Sequence, residues 1–215
     1  MGNGQWAMGN GQWAMGNGQW AMGNGQWAMG NGNKKKFPFF PCPMPYAHCP
    51  LNKNMLTEYS EYLIHRQWMT HALEFAQAAG NAGEVPVGAV IIDSFGNFIA
   101  GGENRKERDK DPTAHAEIIA IRAAAKILQS WRLNECTLYV TLEPCPMCAG
   151  AIVQARLGLL VYSVDDPKTG SIRTVANIPD SAASNHRLRV IAGIEESKSR
   201  QQLQTWFEVR RSSKI

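Results

Sequence analysis

Two short segments, thirty residues apart, constrain this 215-residue chain more than anything else in it. The first is Ala114-His115-Ala116-Glu117 and the second is Pro144-Cys145-Pro146-Met147-Cys148. One imidazole and two thiols make a three-ligand set. Three protein ligands leave the fourth position of a tetrahedral zinc open to water, the arrangement of a catalytic site. To act together, the two segments must lie side by side, so the chain between them must leave and return. Helical periodicity over 114–128, followed by the β-rich run TLYVTLE at 137–143, does this with one helix and one strand.

The rest of the chain reads as a layered fold with an unusual leader. A helical pattern spans about 61–79, with Trp68, Met69, Ala72, Leu73 and Ala76 recurring at three and four. EVPVGAVII at 84–92 and FIAGGEN at 98–104 flank the turn Asp93–Asn97 and read as a hairpin. A charged loop from Arg105 to Asp111 follows. PCPMCAGAIVQA opens a helix whose prolines suit a first turn. LGLLVYSV is a strand, 165–186 a long loop, RLRVIAGI a further strand, and Glu195 to about Ser212 a final helix. This alternation predicts an α/β protein, a three-layer α/β/α sandwich with one central mixed sheet.

Ahead of it, residues 1–28 are four perfect copies of MGNGQWA and 29–33 begin a fifth. Two glycines and an asparagine per unit oppose a helix, and the heptad has no charged flanking positions for a coiled coil. Residues 1–33 are therefore expected to be a disordered tail. Self-association or stacking on single-stranded RNA through Trp6, Trp13, Trp20 and Trp27 is the other reading. Residues 34–54 read as a basic, proline-rich linker in which proline blocks both helix and central strand. Cys42, His48 and Cys49 within it offer ligand atoms but no evident fourth partner. Residues 55–215 are expected to form the folded domain.

The formal charge of +4 belongs to the leader. Lys34, Lys35, Lys36 and Lys53 stand in 1–54 without an acid; removing them from the 22 basic side chains leaves 18, against 18 acidic ones. Bulk charge of the domain thus gives no argument for a nucleic-acid partner. Local clustering does: from Lys198 onward five bases stand against the single acid Glu208, a stripe suited to phosphate. No apolar run approaches a membrane span, and no charged region followed by an apolar one marks a signal peptide. Five cysteines, two of them three apart beside prolines, fit metal binding better than a disulfide framework. A reducing cytoplasm is the expected compartment.

Cys145 and Cys148, at i and i+3, share one helix face, and a helix N-terminus favours thiolate over thiol. His115 and Glu117, two apart, do not share a face, so Glu117 is free to handle protons. Zinc lowers the pKa of bound water from 15.7 toward about 7, and a neighbouring carboxylate can move the released proton as a general acid–base. Taken singly, PCxxC also fits a redox pair or a structural knuckle, and HAE a simple helix start. Together, in this order, they match H-x-E…P-C-x-x-C, the signature of zinc nucleobase deaminases.

The resemblance then becomes more specific. EVPVGAV, Asn104-Arg105, DPTAHAEI, WRL at 131–133, TLYVTLEPCPMCAGAI, Asp166 with KTG at 168–170, NHR at 185–187, Phe207 and Arg210-Arg211 are similar to the bacterial tRNA adenosine deaminases, the TadA family, over roughly 65–211. That family has a cytidine deaminase-like fold. The resemblance implies hydrolytic conversion of adenosine to inosine at the wobble position of a tRNA anticodon, typically that of an arginine tRNA, by a homodimer. It implies one zinc per chain held by His115, Cys145 and Cys148, with Glu117 as proton shuttle. Asn104 would contact the flipped base, Val87 would wall its pocket, and Asp166 would lie near the substrate backbone. His186, Arg210 and Arg211 would touch the anticodon stem-loop. The chain departs from the family in its first 54 residues, in one extra residue at the hairpin turn and in a longer loop over 171–185. Two other readings remain at this point: a zinc deaminase of a free base or nucleoside such as guanine or cytosine, and a zinc-dependent RNA-binding module without catalysis. Glu117 argues against the second, since binding alone has no use for that carboxylate.

Overall fold

The computed structural model describes residues 53–212, with side chains from residue 58, together with residues 6–9, 12–15, 20–23 and 26–29 of the repeat. Residues 34–52 of the linker, with Cys42, His48 and Cys49, lie outside the described residues, and its last two, Lys53 and Asn54, are helical. By its contacts the chain falls into two compact units, Met1–Leu51 and Asn52–Ile215.

In the repeat, strands β1 (Trp6–Gly9), β2 (Gln12–Met15), β3 (Trp20–Gly23) and β4 (Gln26–Met29) pair antiparallel in sequence order. Gly9 faces Gln12 and Gly23 faces Gln26, and in each case the two intervening residues in the sequence are Asn-Gly. That dipeptide is the strongest short-range hairpin signal.

The second unit begins with α1 (Lys53–Asn81), followed by β5 (Gly88–Ile92), β6 (Phe98–Glu103), the one-turn α2 (Lys106–Asp109), α3 (Ala116–Ile127), β7 (Thr137–Leu142), α4 (Pro146–Gln154), β8 (Leu159–Val164), β9 (Arg189–Ala192) and α5 (Glu196–Ser212). The strands form one sheet in the order β6-β5-β7-β8-β9. β5 runs antiparallel to both β6 and β7, whereas β7, β8 and β9 are parallel. The mixed sheet between helices agrees with the expected sandwich. β5 starts at Gly88 rather than Glu84 because Pro86 has no N–H to offer a ladder and Val87 N–H turns back to the Val85 carbonyl at 2.8 Å. The charged loop contains α2, a turn too short to leave a periodic signal.

Alternation along the strands divides the core. Val90, Ile92, Tyr139 and Val161 face Met69 and Ala72 of α1. Ala89, Ile91, Leu138, Val140, Leu160 and Tyr162 face Ala116, Ala120, Ala149 and Ile152 of α3 and α4. Where α3 crosses β6 at Gly102, no side chain stands between the helix and strand backbones. A Cβ on Gly102 of β6 would lie 2.3 Å from the Ala116 carbonyl oxygen, and one on Gly88 2.1 Å from that of Ala72. Glycine at these two positions lets the helix backbones rest directly on the strands.

Candidate metal and base-binding site

The topology gathers the site. With β5 antiparallel to its neighbours, the carboxyl ends of β6, β7 and β8 and the start of β5 share one edge of the sheet. Asn104 follows β6, Glu143 to Cys145 follow β7, Asp165 and Asp166 follow β8, and Val87 precedes β5. Ligands in α/β sheets commonly bind at such an edge. Both α3 and α4 begin there.

His115 is the residue before α3 rather than part of its first turn, with an extended backbone (φ −81°, ψ 152°), and its side chain does not cap the helix. Asn104 does so instead: the Ala116 N–H donates to Asn104 Oδ1 at 3.0 Å. The imidazole is thereby released from capping. Cys145 likewise precedes α4, Pro146 opens that helix, and Cys148 follows within its first turn. His115 Nδ1 lies 3.7 Å from Cys145 Sγ and 3.5 Å from Cys148 Sγ. The three ligand atoms all fall within 4.8 Å of one another. Tetrahedral bonds of about 2.3 Å to sulfur and 2.0–2.1 Å to nitrogen separate the two ligand atoms by about 3.6 Å, so the observed separations suit zinc. The Cys145 thiol is pulled down to about 4, chiefly by its hydrogen bond with Cys148 and also by His115. That same bond, together with burial, pushes Cys148 up.

Glu117 stands in the first turn of α3, 3% exposed, and its Oε2 is buried with no hydrogen-bond partner. An orphaned carboxylate oxygen beside a set of metal ligands is a fit for a group that exchanges protons there. Burial pushes its carboxyl up.

Val87 and Asn104 are neighbours, joined by the Asn104 N–H and the Val87 carbonyl at 3.1 Å, and both are buried. Because a backbone N–H must meet an oxygen, the Asn104 amide is oriented with Oδ1 toward Ala116. Asp166 is half-buried, and its carboxylate accepts the Lys168 N–H at 2.9 Å and the Thr169 hydroxyl at 2.6 Å. Arg210 stacks over Trp206 at 4.3 Å and donates to the Gly83 carbonyl, four residues before Val87. Arg211 is exposed.

His186 is placed elsewhere. Its Nε2 meets the Leu157 carbonyl at 2.6 Å, just ahead of the starts of β8 and β9 and so at the opposite end of the sheet from the metal ligands. A groove of about 750 Å³ between α1 and α5 is lined by Leu73, Gln77, Gln202 and Trp206 among others, but by none of the ligand residues. The donor chemistry, not the size of that groove, locates the site.

The sequence reading passed over Glu143. It is 2% exposed. Its Oε1 accepts the N–H groups of Ile172, Arg173 and Thr174 at 3.1, 2.8 and 3.1 Å. Its Oε2 accepts the Asp166 N–H at 3.1 Å and the Thr174 hydroxyl. Burial pushes its carboxyl up, but these hydrogen bonds outweigh it and hold the group below the usual carboxylate range. The only sequence signal was a lone acid between a strand and a proline.

This sheet, with a His/Cys/Cys set at two helix starts and a buried glutamate beside it, defines a zinc-type deaminase of the cytidine deaminase-like fold. The family model of the MafB19-like deaminases matches residues 64–208. The tRNA-specific adenosine deaminase of Haemophilus influenzae is 48% identical over 146 residues, covering 68% of this chain and 84% of the relative. That of Bacillus subtilis is 41% identical over 147 residues, covering 68% of this chain and 91% of the relative. A structure solved in studies of A-to-I editing by tRNA:A34 deaminases superposes with a TM-score of 0.62 at 42% identity, covering 64% of this chain and 99% of that one. The chain belongs to the tRNA-specific adenosine deaminase family.

Proposed function

We propose that this protein hydrolyses adenosine to inosine at the wobble position of a tRNA anticodon, with an arginine tRNA as substrate, acting as a homodimer in the cytoplasm. The observation that carries this reading is the convergence of the His115/Cys145/Cys148 cluster, the orphaned Glu117 oxygen and the Asn104–Val87 pair on one sheet edge, in a chain this similar to tRNA deaminases.

His115 Nδ1 and the sulfurs of Cys145 and Cys148 would hold the zinc, which would supply an activated, hydroxide-like water at neutral pH. Glu117 takes a proton from the attacking water on its buried oxygen and delivers it to the purine ring nitrogen. It then takes the remaining proton from the hydroxyl now on the ring carbon and passes it to the departing amine, so adenosine and water become inosine and ammonia. Asn104 keeps Oδ1 on the helix and turns its Nδ2 toward the base. Val87 supplies an apolar wall beside it. A base stacked in a duplex cannot reach this edge, whereas a loop nucleotide swings out cheaply. Asp166 and the basic end of α5, Arg211 foremost, meet the loop and stem. His186, held through Nε2 by the Leu157 carbonyl, is assigned to the more distant part of the stem-loop and anchors the end of the 171–185 loop. The repeat and linker, 1–54, are dispensable for turnover.

The test is deamination of an anticodon stem-loop whose anticodon begins with A, beside free adenosine, cytidine and guanine at equal concentration. The stem-loop should react fastest by a wide margin. Faster turnover of a free base or nucleoside would overturn the assignment.

A further inference from the structure

We propose that Glu143 is a positioning residue that fixes the substrate-facing loop 166–174 relative to the zinc ligands. The inference rests on the function proposed above and deepens it, because no part of the chemistry so far uses this carboxylate.

Glu143 lies two residues before Cys145, and its own N–H donates to the Val164 carbonyl at 2.8 Å, extending the β7–β8 pairing past the strand ends. From there its side chain reaches across and collects four backbone N–H groups and one hydroxyl from the following loop. A second tie runs beside it: the Ser171 N–H donates to the Pro144 carbonyl at 2.9 Å. The loop is closed on itself by the Gly170 N–H to the Asp166 carbonyl at 3.0 Å. Gly170 is required at that spot, since a Cβ there would stand 2.2 Å from Glu143 Oε2. The turn that carries Cys145 and the loop that carries Asp166, Lys168 and Thr169 are thus referenced to the same carboxylate. Of that loop, Asp166 through Thr169 remain partly or fully exposed, while Gly170 to Ile172 are buried. The exposed part is the part available to RNA.

The geometry also says where a perturbation lands. Glu143→Gln keeps the shape but leaves one acceptor oxygen. If that oxygen serves the three N–H groups of Ile172 to Thr174, the new NH₂ faces the Asp166 N–H and the Thr174 hydroxyl. The hydroxyl can turn and accept; the Asp166 N–H cannot. The substitution therefore displaces Asp166 in particular, without touching a zinc ligand.

The experiment is a double-mutant cycle on the full-length zinc-loaded protein, with Glu143→Gln, Asp166→Ala and the pair, assayed on the anticodon stem-loop. Glu143→Gln should raise KM on the order of tenfold, the loss of one hydrogen bond to a charged group, with kcat and zinc content kept. The double variant should be no worse than the poorer single one, because residues acting as a unit are not additive. Thr174→Val, a milder change, should give a smaller rise in KM and serves if Glu143→Gln does not fold. Losses that multiply in the double variant, or a fall in kcat with zinc while KM stays put, would overturn the proposal; so would an unchanged KM in Thr174→Val. Amide exchange adds a readout independent of turnover: Asp166 should exchange faster in Glu143→Gln, with Ile172 to Thr174 still protected, and the reverse pattern refutes the positioning role. Wild-type protein inactive on the stem-loop would instead count against the proposed function alone.

Discussion

Asn104 caps α3 and is proposed to meet the base, and a pair of substitutions can separate the two. Its Oδ1 accepts the N–H of Ala116 at the start of α3, and its Nδ2 is assigned to the base. Asn104→Ala removes both. Ala116 is fully buried, so its N–H would lose its partner without gaining water, at a cost of about 1–3 kcal/mol. For a domain of this size that lowers Tm by roughly 2–4 °C per kcal/mol. Asn104→Asp keeps an acceptor for Ala116, at the positive end of a helix, but replaces the donor that would meet the base with a second acceptor. The two variants should then rank in opposite orders. By calorimetry, Asn104→Asp should unfold at a higher temperature than Asn104→Ala. By kcat/KM on the stem-loop, Asn104→Asp should be at least as impaired as Asn104→Ala, each by about tenfold or more, as for a lost hydrogen bond at a site built to make it. If stability and activity fall together in the same order, Asn104 is only a helix cap and its assignment to the base is wrong.

Three further outcomes are expected. Glu117→Ala should keep its zinc and its fold while turnover falls by about 10²–10⁴-fold; near-normal turnover would remove Glu117 from the mechanism. Cys148→Ala should lose most of its zinc by elemental analysis, and a full complement would mean the ligand set is misassigned. Replacing Arg210 and Arg211 together should weaken stem-loop binding and flatten its dependence on salt by about one unit of log–log slope per lost phosphate contact, with zinc unchanged; a slope equal to wild type would place the RNA elsewhere.

Which parts of this were legible in the chain follows from how local each signal is. The zinc ligands were readable because residue type, spacing and the neighbouring prolines all lie within a few positions of one another. The buried strands were readable because TLYV and GAVII are β-rich and bounded by turns. Glu143 was not, because four of its five partners are backbone N–H groups twenty-three to thirty-one residues away, which leave no mark on side-chain identity. Asn104 was assigned only toward the base, since its hold on α3 depends on a crossing that no periodicity reports. The hold on His186 was not legible for the same reason: its NHR motif is local, but the Leu157 carbonyl that meets its ring is not. α2 is a single turn with no buried residue, and such an element has no face to show.

The bare contact between α3 and β6 bears on how this site tolerates change. His115 and Glu117 flank Ala116, whose carbonyl rests against Gly102 without a side chain between them. At β6 their height above the sheet is therefore set by the approach of peptide units. At this crossing a change in a core side-chain volume reaches the imidazole and the carboxylate only indirectly, through the rest of α3. The same arrangement makes Gly102 itself almost irreplaceable: even alanine would lift the first turn of the helix and carry both groups away from the thiols.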